Sequence, residues 1–513
     1  MTAVRARVRP KTVLVLVILS LILTATSFPA SAGARRRAAP APVSLRFMTY
    51  NIEYGGTVID FGQIVKGLVR ADPDVVGVNE AFAHLRRLAS EAGYPYLNTR
   101  LDLISKYPLI DPPEGNGRYV FVQTAPGEVV AVSNVHLPSP AYGPRRLLDG
   151  WSRRKVLRTE RALRLPAIKP FVHALTPVAA DGIPTVVMGD FNAPSLEDYT
   201  ADTVGLRPQN RFPIRWPVSA YLLGHGYVDG YRQVHPDPVA SPGLTWPSGR
   251  PRSETSWNPR RDAPQDRVDQ IWVAGPAIAT GSEIVGERGG PDVAIGLRPW
   301  GTDHRAVVTT LEATPGVVPV MVSAVPRLVT VGADLTVLYH APGSPGERVV
   351  LVPRGGDPAT GALDAAPTPG GQPNDGAVTL PTASLAAGAY DAVLADAADA
   401  VLSRVPFWTR DPGSPPMLAT AHHRYAVGEA LGFSWTQAPG NRFDWIGVYP
   451  RDADPASGSY AGYVYTRATV VGSAVFDHRA DDRWPLPPGR YTAYYLTTDI
   501  YRDVASVDFV VRA

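Results

Sequence analysis

Between residues 43 and 312, short apolar runs alternate with stretches of helical spacing. Residues 45–50, 75–78, 129–135, 184–188, 268–273 and 306–311 are too short for helices and rich in β-branched side chains, so they read as strands. Residues 64–70 and 82–92 carry amphipathic helical spacing. So do residues 153–175, with interruptions expected at Pro166 and Pro170. The mixture predicts an α/β or α+β layered domain over residues 43–314.

From Pro315 the pattern changes to short alternating runs spaced by Gly, Pro and Asp. A repeat emerges there. Val331-Gly332-Ala333-Asp334-Leu335 matches Val427-Gly428-Glu429-Ala430-Leu431, and Val352-Pro353-Arg354 matches Tyr449-Pro450-Arg451. Leu385-Ala386-Ala387-Gly388-Ala389-Tyr390 matches Leu486-Pro487-Pro488-Gly489-Arg490-Tyr491. A spacing of about 100 residues fits two all-β sandwiches of immunoglobulin size, at 315–411 and 412–513. Asp444-Trp445-Ile446-Gly447 falls in the second, with Trp445 expected in its core.

The N-terminus has a different character. Arg5, Arg7, Arg9 and Lys11 precede an apolar run over 12–24 and an Ala30-Ser31-Ala32 cleavage site. This predicts a signal peptide at 1–32 and a secreted protein without a membrane span after cleavage. Residues 33–42, rich in Ala, Arg and Pro, read as a flexible arm. The chain has no cysteine, which excludes disulfides and thiolate metal sites. Arg far outnumbers Lys, a bias that points to a GC-rich bacterial genome. Net charge is +3, and residues 1–42 hold seven basic and no acidic groups. The mature protein is therefore near neutral, and its overall charge does not mark a polyanion binder.

Candidate chemistry clusters at the ends of the predicted strands. Gly189-Asp190-Phe191-Asn192-Ala193-Pro194-Ser195 follows the 184–188 run, so Asp190 and Asn192 lean the same way before Pro194 breaks the strand. An Asp and an Asn there suit a hard cation or an anionic substrate, although they could simply cap a turn. Asn51 and Glu53 end one strand, Asn79-Glu80 another, and Ser133-Asn134-Val135-His136 a third. Arg267, Asp269 and Ile271 share one face, and Thr302-Asp303-His304 precedes the last strand. Each alone has a bland explanation: Glu80 as a helix-start acid, His136 as a core histidine, Asp269 as a partner of Arg267. Together they are hard to explain as packing, because buried charge is costly unless paired or bound to metal.

These motifs, in this order, resemble the endonuclease/exonuclease/phosphatase family. They are Met-Thr-Tyr-Asn-Ile at 48–52, Asn-Glu at 79–80, Ile-Ser-Lys-Tyr-Pro at 104–108, Asn-Val-His-Leu at 134–137, Gly-Asp-Phe-Asn at 189–192, Arg-Val-Asp-Gln-Ile at 267–271 and Thr-Asp-His-Arg at 302–305. The resemblance implies a four-layer sandwich of two mixed β-sheets flanked by helices. It implies Glu80 as chief ligand of Mg²⁺ or Mn²⁺, assisted by Asn51 and Asp303, an oxygen set that suits hard ions. It implies His304 orienting or deprotonating the attacking water, or sharing the transition-state charge, with Asp269 holding its ring. Asp190 and Asn192 align water and phosphate, and His136 donates to a phosphoryl oxygen or the leaving group. The implied reaction is in-line phosphoester hydrolysis without a covalent intermediate. Three departures stand out: Asn79 replaces the usual Gln, Thr302 replaces Ser or Ala, and the short 80–104 segment suggests a missing hairpin that often touches substrate.

A basic run follows His136, from Arg145 and Arg146 through Arg153, Arg154, Lys155, Arg158, Arg161 and Arg164 to Lys169. It reads either as a solvated helix face or as a phosphate contact. Arg145, Arg146, Arg154 and Arg267 are the candidate substrate contacts, and Tyr142 and Trp151 candidates to pack on a base or at a membrane interface. A second Arg-rich loop, 250–261 with Trp246 and Trp257, would form the opposite wall. The expectation is a monomeric phosphodiesterase, with nucleic acid favoured over phospholipid. The rivals are a sphingomyelinase-like or inositol-phosphate hydrolase, and a catalytically silent binding protein.

Overall fold

The computed structural model describes residues 40–513 except 255–257, 259–262, 371–373, 442–443, 456–459, 468, 478–483 and 498–500. The expected signal peptide, residues 33–39 of the arm, and Trp257, Arg260 and Arg261 of the second Arg-rich loop lie outside the described residues.

Two mixed sheets form the first domain. One runs in the order Val293–Leu297, Ala277–Glu287, Ala306–Ala313, Val43–Asn51, Val75–Asn79, Leu103–Ser105, Tyr96–Asn98. The other runs Leu109–Ile110, Val120–Ala125, Glu128–His136, Thr185–Asp190, Asp269–Ala274, Val228–Asp229, and Gly316–Val317 pairs with Glu128–His136. Period-two alternation makes each central strand face two ways. Phe47 and Val75 from the first sheet meet Val130, Val132, Met188 and Ile271 from the second in a shared core. On the far side of the second sheet, Val129, Ala131 and Val187 pack against Ile168, Phe171 and Leu175 of a long helix, Arg153–Ala180. On the far side of the first, Met48, Val76 and Val78 pack against Ile64 and Leu68 of Phe61–Ala71 and Leu88 of Leu85–Ala92. The result is the layered α/β domain expected from the pattern, with the four layers that the family resemblance implies.

Several elements depart from the pattern reading. The helix Arg153–Ala180 runs through Pro166, Pro170 and Pro177 without ending, because its apolar stripe is buried along the sheet. Tertiary burial there outweighs the local cost of proline. Residues 82–92 divide into a 3₁₀ turn, Phe82–His84, and the helix Leu85–Ala92. The short 80–104 segment also holds the strand Tyr96–Asn98, which pairs antiparallel with Leu103–Ser105.

Beyond residue 320 the described sheets are all in two β-sandwiches. A three-stranded sheet (Met321–Val325, Asp334–Ala341, Asn374–Pro381) faces a five-stranded one, in the order Leu328–Thr330, Val401–Arg410, Gly388–Ala395, Arg348–Pro353, Asp364–Pro367. The same strand order recurs in Met417–Thr420, Leu431–Thr436, Gly472–Phe476 and in Arg424–Ala426, Asp503–Arg512, Gly489–Leu496, Trp445–Pro450, Gly462–Tyr465. Each pair encloses its own apolar core. Both sandwiches touch the first domain. Ser323 Oγ donates to Asp111 O at 2.6 Å, Arg327 and Arg100 both pair with Asp111, and Arg100 Nε donates to Gly440 O at 3.4 Å.

Candidate active site

Strand register brings the polar strand ends together. Asn51 lies opposite Asn79 in the parallel pair of the first sheet. In the second, Asp190 lies opposite His136 on one side and Asp269 on the other. Residues 303–304 enter the same edge just before Ala306–Ala313, whose Val307 pairs with Thr49. Two buried amides hold the sheets at this spacing. Asn79 donates to Val135 O at 3.0 Å and accepts from the Asp190 N–H at 2.8 Å. Asn134 donates to Val78 O at 2.9 Å. Gly189 is required at this crossing: its φ is +146°, and a Cβ would lie 1.8 Å from Val135 O.

Asp190 is the hub. Its Oδ1 accepts from the Asn192 N–H at 2.8 Å, and its Oδ2 accepts from Asn51 Nδ2 at 3.2 Å and Asn192 Nδ2 at 3.1 Å. His136 Nε2 is 3.5 Å and His304 Nε2 3.8 Å from that same Oδ2. Asn51 Nδ2 also donates to Glu80 Oε1 at 3.2 Å, so this amide bridges Glu80 and Asp190, while its Oδ1 accepts from the Glu53 N–H. Glu80 sits at φ 55° and accepts from the Tyr54 N–H at 2.9 Å. His304 Nδ1 is 2.9 Å from Asp269 Oδ2, and its Nε2 is 4.0 Å from Asp303 Oδ1.

Electrostatics follow from this crowding. Burial pushes the Asp190 carboxyl up and Asp269 adds to it, against the pull of His304 and His136. Burial likewise pushes Asp303 up, with Glu80 contributing and His304 opposing. Burial alone would depress the His304 imidazolium, but Asp269, Asp303 and Asp190 hold its pKa well above the ordinary value. Anionic oxygen thus outweighs cationic nitrogen in the pocket, and Asp269 Oδ1 is buried without a hydrogen-bond partner among the described residues. An excess of carboxylate oxygen with one orphaned atom fits a hard divalent cation. Glu80, Asp303 and Asn51 can hold it from one side. Asp190, Asp269 and His304, whose ligand atoms lie within 4.8 Å of one another, can do so from the other.

Glu53, a strand-end candidate, and Arg250 and Trp246, expected in the opposite wall, instead support Asp303. Glu53, 1 % exposed, accepts from the Asp303 N–H at 2.9 Å and pairs with equally buried Arg250 at 2.6 Å. Burial and Asp303 push the Glu53 carboxyl up to about 7, against the pull of Arg250. Trp246 Nε1 donates to Asp303 Oδ2 at 3.0 Å. Glu53 stands two residues after Asn51, but no local signal could pair it with an arginine 197 residues away.

The four candidate substrate arginines are not one group. Arg145 lies on the short helix Gly143–Leu148 and lines a cavity of about 760 Å³ with Arg207, Arg250 and Arg252. Ser248, on the same wall, donates its Oγ to Thr302 O and its N–H to Asp303 O, so the cavity borders the Asp303 loop. Arg146 bonds Asp149 and lies over Trp151. Arg154 is exposed at the start of its helix. Arg267 cannot contact substrate: it is 1 % exposed and pairs with Asp229 at 2.6 Å and Asp198 at 3.0 Å, not with Asp269. Arg164 of the basic run is also buried, donating to Glu160, Ser139 O and Pro140 O. Tyr142 is not available to a base or membrane through its hydroxyl, which donates to buried Asp266. Lys106 pairs with Asp72 and Asp74, at the opposite end of the first sheet from Glu80.

A two-sheet α/β sandwich with amides, carboxylates and two imidazoles at one edge defines a metal-dependent phosphoester hydrolase. The chain belongs to the endonuclease/exonuclease/phosphatase family, whose profile matches residues 48–304. An uncharacterized Caenorhabditis elegans protein is 27 % identical over 263 residues, covering 46 % of this chain and 80 % of its own length. Among solved structures, an endonuclease/exonuclease/phosphatase from Beutenbergia cavernae is 18 % identical, covering 71 % of this chain and 99 % of its own, with a TM-score of 0.33. D. rerio TDP2, solved with a single-strand DNA product, is 16 % identical, covering 53 % and 99 %, with a TM-score of 0.32.

Proposed function

We propose that this protein is an exported phosphodiesterase that hydrolyses nucleic acid by in-line attack of water. The observation that carries the substrate reading is the cavity beside Asp303, whose lining includes Arg145, Arg207 and Arg252, with Arg250 on the same wall committed to Glu53. A near-neutral chain that concentrates cations at one mouth gains a local phosphate-backbone contact without a globally basic surface. The N-terminal basic, apolar and Ala-x-Ala segments support export.

Glu80, with Asn51 and Asp303, would hold Mg²⁺ or Mn²⁺, which would supply charge neutralisation for the phosphoryl group and the departing oxygen. Asp269 fixes the Nδ1 side of His304, so Nε2 is the nitrogen turned towards the reacting centre, where it orients the attacking water and shares the transition-state charge. Asp190, braced by Asn51 and Asn192, aligns that water and the phosphate. His136, beside Asp190, donates to a phosphoryl oxygen or the leaving group. The direct test incubates plasmid DNA, RNA and choline phospholipid with the full chain and Mg²⁺ or Mn²⁺, then with chelator. Chelator-sensitive cleavage of DNA or RNA is expected. Phosphocholine release without cleavage of either would overturn the substrate reading.

A further inference from the structure

The aromatic face of the second sandwich has no role in the reading above, yet it stands over the same pocket. Trp445 and Tyr449 are buried in a cluster with Tyr460, Tyr463, Tyr465, Tyr494 and Tyr501. Tyr501 stacks edge-on to Trp445 and comes close enough to Tyr54 for the two phenols to influence one another electrostatically. Tyr54 is the residue whose N–H holds Glu80. On the other side of the pocket, Tyr463, Tyr465 and Arg467 line a cavity of about 180 Å³ together with His136 and Arg118. The cavity is smaller than a typical whole-ligand pocket, about 300 Å³ or more, so it suits one group of a larger substrate. Arg118 and Arg467 have no ion-pair partner among the described residues, and Arg467 is exposed.

We propose that the second sandwich completes the active site: Tyr463, Tyr465 and Arg467 form, with His136 and Arg118, a subsite for a planar ring attached to the phosphate. This rests on the proposed placement of the phosphate at His136. Tyrosine rings offer a stacking surface that any base can use, and the two guanidiniums provide charge for an adjoining phosphate. The catalytic domain alone would then lack one wall of its substrate cleft.

The test is equilibrium binding of thymidine 5′-monophosphate and of 2-deoxyribose 5-phosphate to the full chain in Mg²⁺, with diester hydrolysis measured separately. The nucleotide is expected to bind about tenfold more tightly than the sugar phosphate, in line with stacking of a single base. Tyr463→Ala/Tyr465→Ala removes that preference, and Tyr463→Phe/Tyr465→Phe keeps it. Arg467→Glu, at an exposed position that leaves the aromatic packing intact, weakens nucleotide binding several-fold. Equal affinity for both ligands in the wild type, or a preference that survives the alanine pair, overturns the subsite while retained diester hydrolysis leaves the phosphodiesterase reading standing. If the alanine pair does not fold, unchanged nucleotide affinity in Arg467→Glu overturns it. A base preference without hydrolysis of any diester supports the subsite and overturns the phosphodiesterase reading instead.

Discussion

Asp269 Oδ2 lies 2.9 Å from His304 Nδ1, and both side chains are buried. The two residues come from different sheets, and register alone brings Asp269 opposite Asp190 while His304 enters just before the internal strand Ala306–Ala313 of the first sheet. The contact decides which ring nitrogen faces the substrate.

Replacing Asp269 with Asn keeps the shape but removes the charge that holds the ring and its orientation. We expect kcat to fall on the order of 100-fold or more with little change in KM, because the lost contact serves the attacking water rather than substrate binding. Steady-state kinetics on a soluble phosphodiester checks this. Unchanged kcat would remove Asp269 from the mechanism.

Arg267→Ala separates a structural role from a substrate contact. Arg267 pairs with two buried carboxylates, and its removal leaves Asp229 without its cation while Asp198 keeps Arg232. Breaking such a pair costs about 3–5 kcal/mol. Urea denaturation should show that loss in the first domain's transition. A variant of wild-type stability with a raised KM would restore the substrate role.

Asp266 makes stability depend on pH. Tyr142, Tyr199 and Gln209 surround it, and burial pushes its carboxyl up to about 6. The folded state therefore holds a proton that the unfolded chain, with a pKa near ~3.9, releases earlier. The sign follows: this group's contribution is full below pH ~4 and is lost as pH rises to about 6, by at most about 3 kcal/mol. Asp266→Asn keeps an acceptor for the tyrosines and removes the titration. The difference in stability between wild type and variant should drift in the variant's favour across that window, as read by denaturation at pH 4, 5, 6 and 7. Parallel curves would contradict it.

The sequence and the structure agree where chemistry sits at strand ends. The run before Asp190, the Asn79-Glu80 step and the Thr302-Asp303-His304 entry could be read because strands place their last polar residues at a common edge. What could not be read depends on contacts distant in sequence. The Glu53–Arg250 pair spans 197 residues, and Arg267 looked like a substrate contact because its partners lie 38 and 69 residues earlier. The prolines of Arg153–Ala180 suggested breaks, since local pattern does not reveal how well a helix is buried. The repeat in the last 200 residues was visible, but its second copy carried no signal that Tyr463 and Arg467 lie beside His136.

The central claim is that Glu80 and the pocket around Asp190 and His304 grip one divalent ion and one phosphorus centre. The most direct measurement is phosphodiester hydrolysis by Glu80→Ala and wild type across a Mn²⁺ titration, with circular dichroism to confirm folding. The variant should stay folded and either show no turnover or require far more Mn²⁺ to approach the wild-type rate. Wild-type turnover at the same Mn²⁺ concentration would contradict the account.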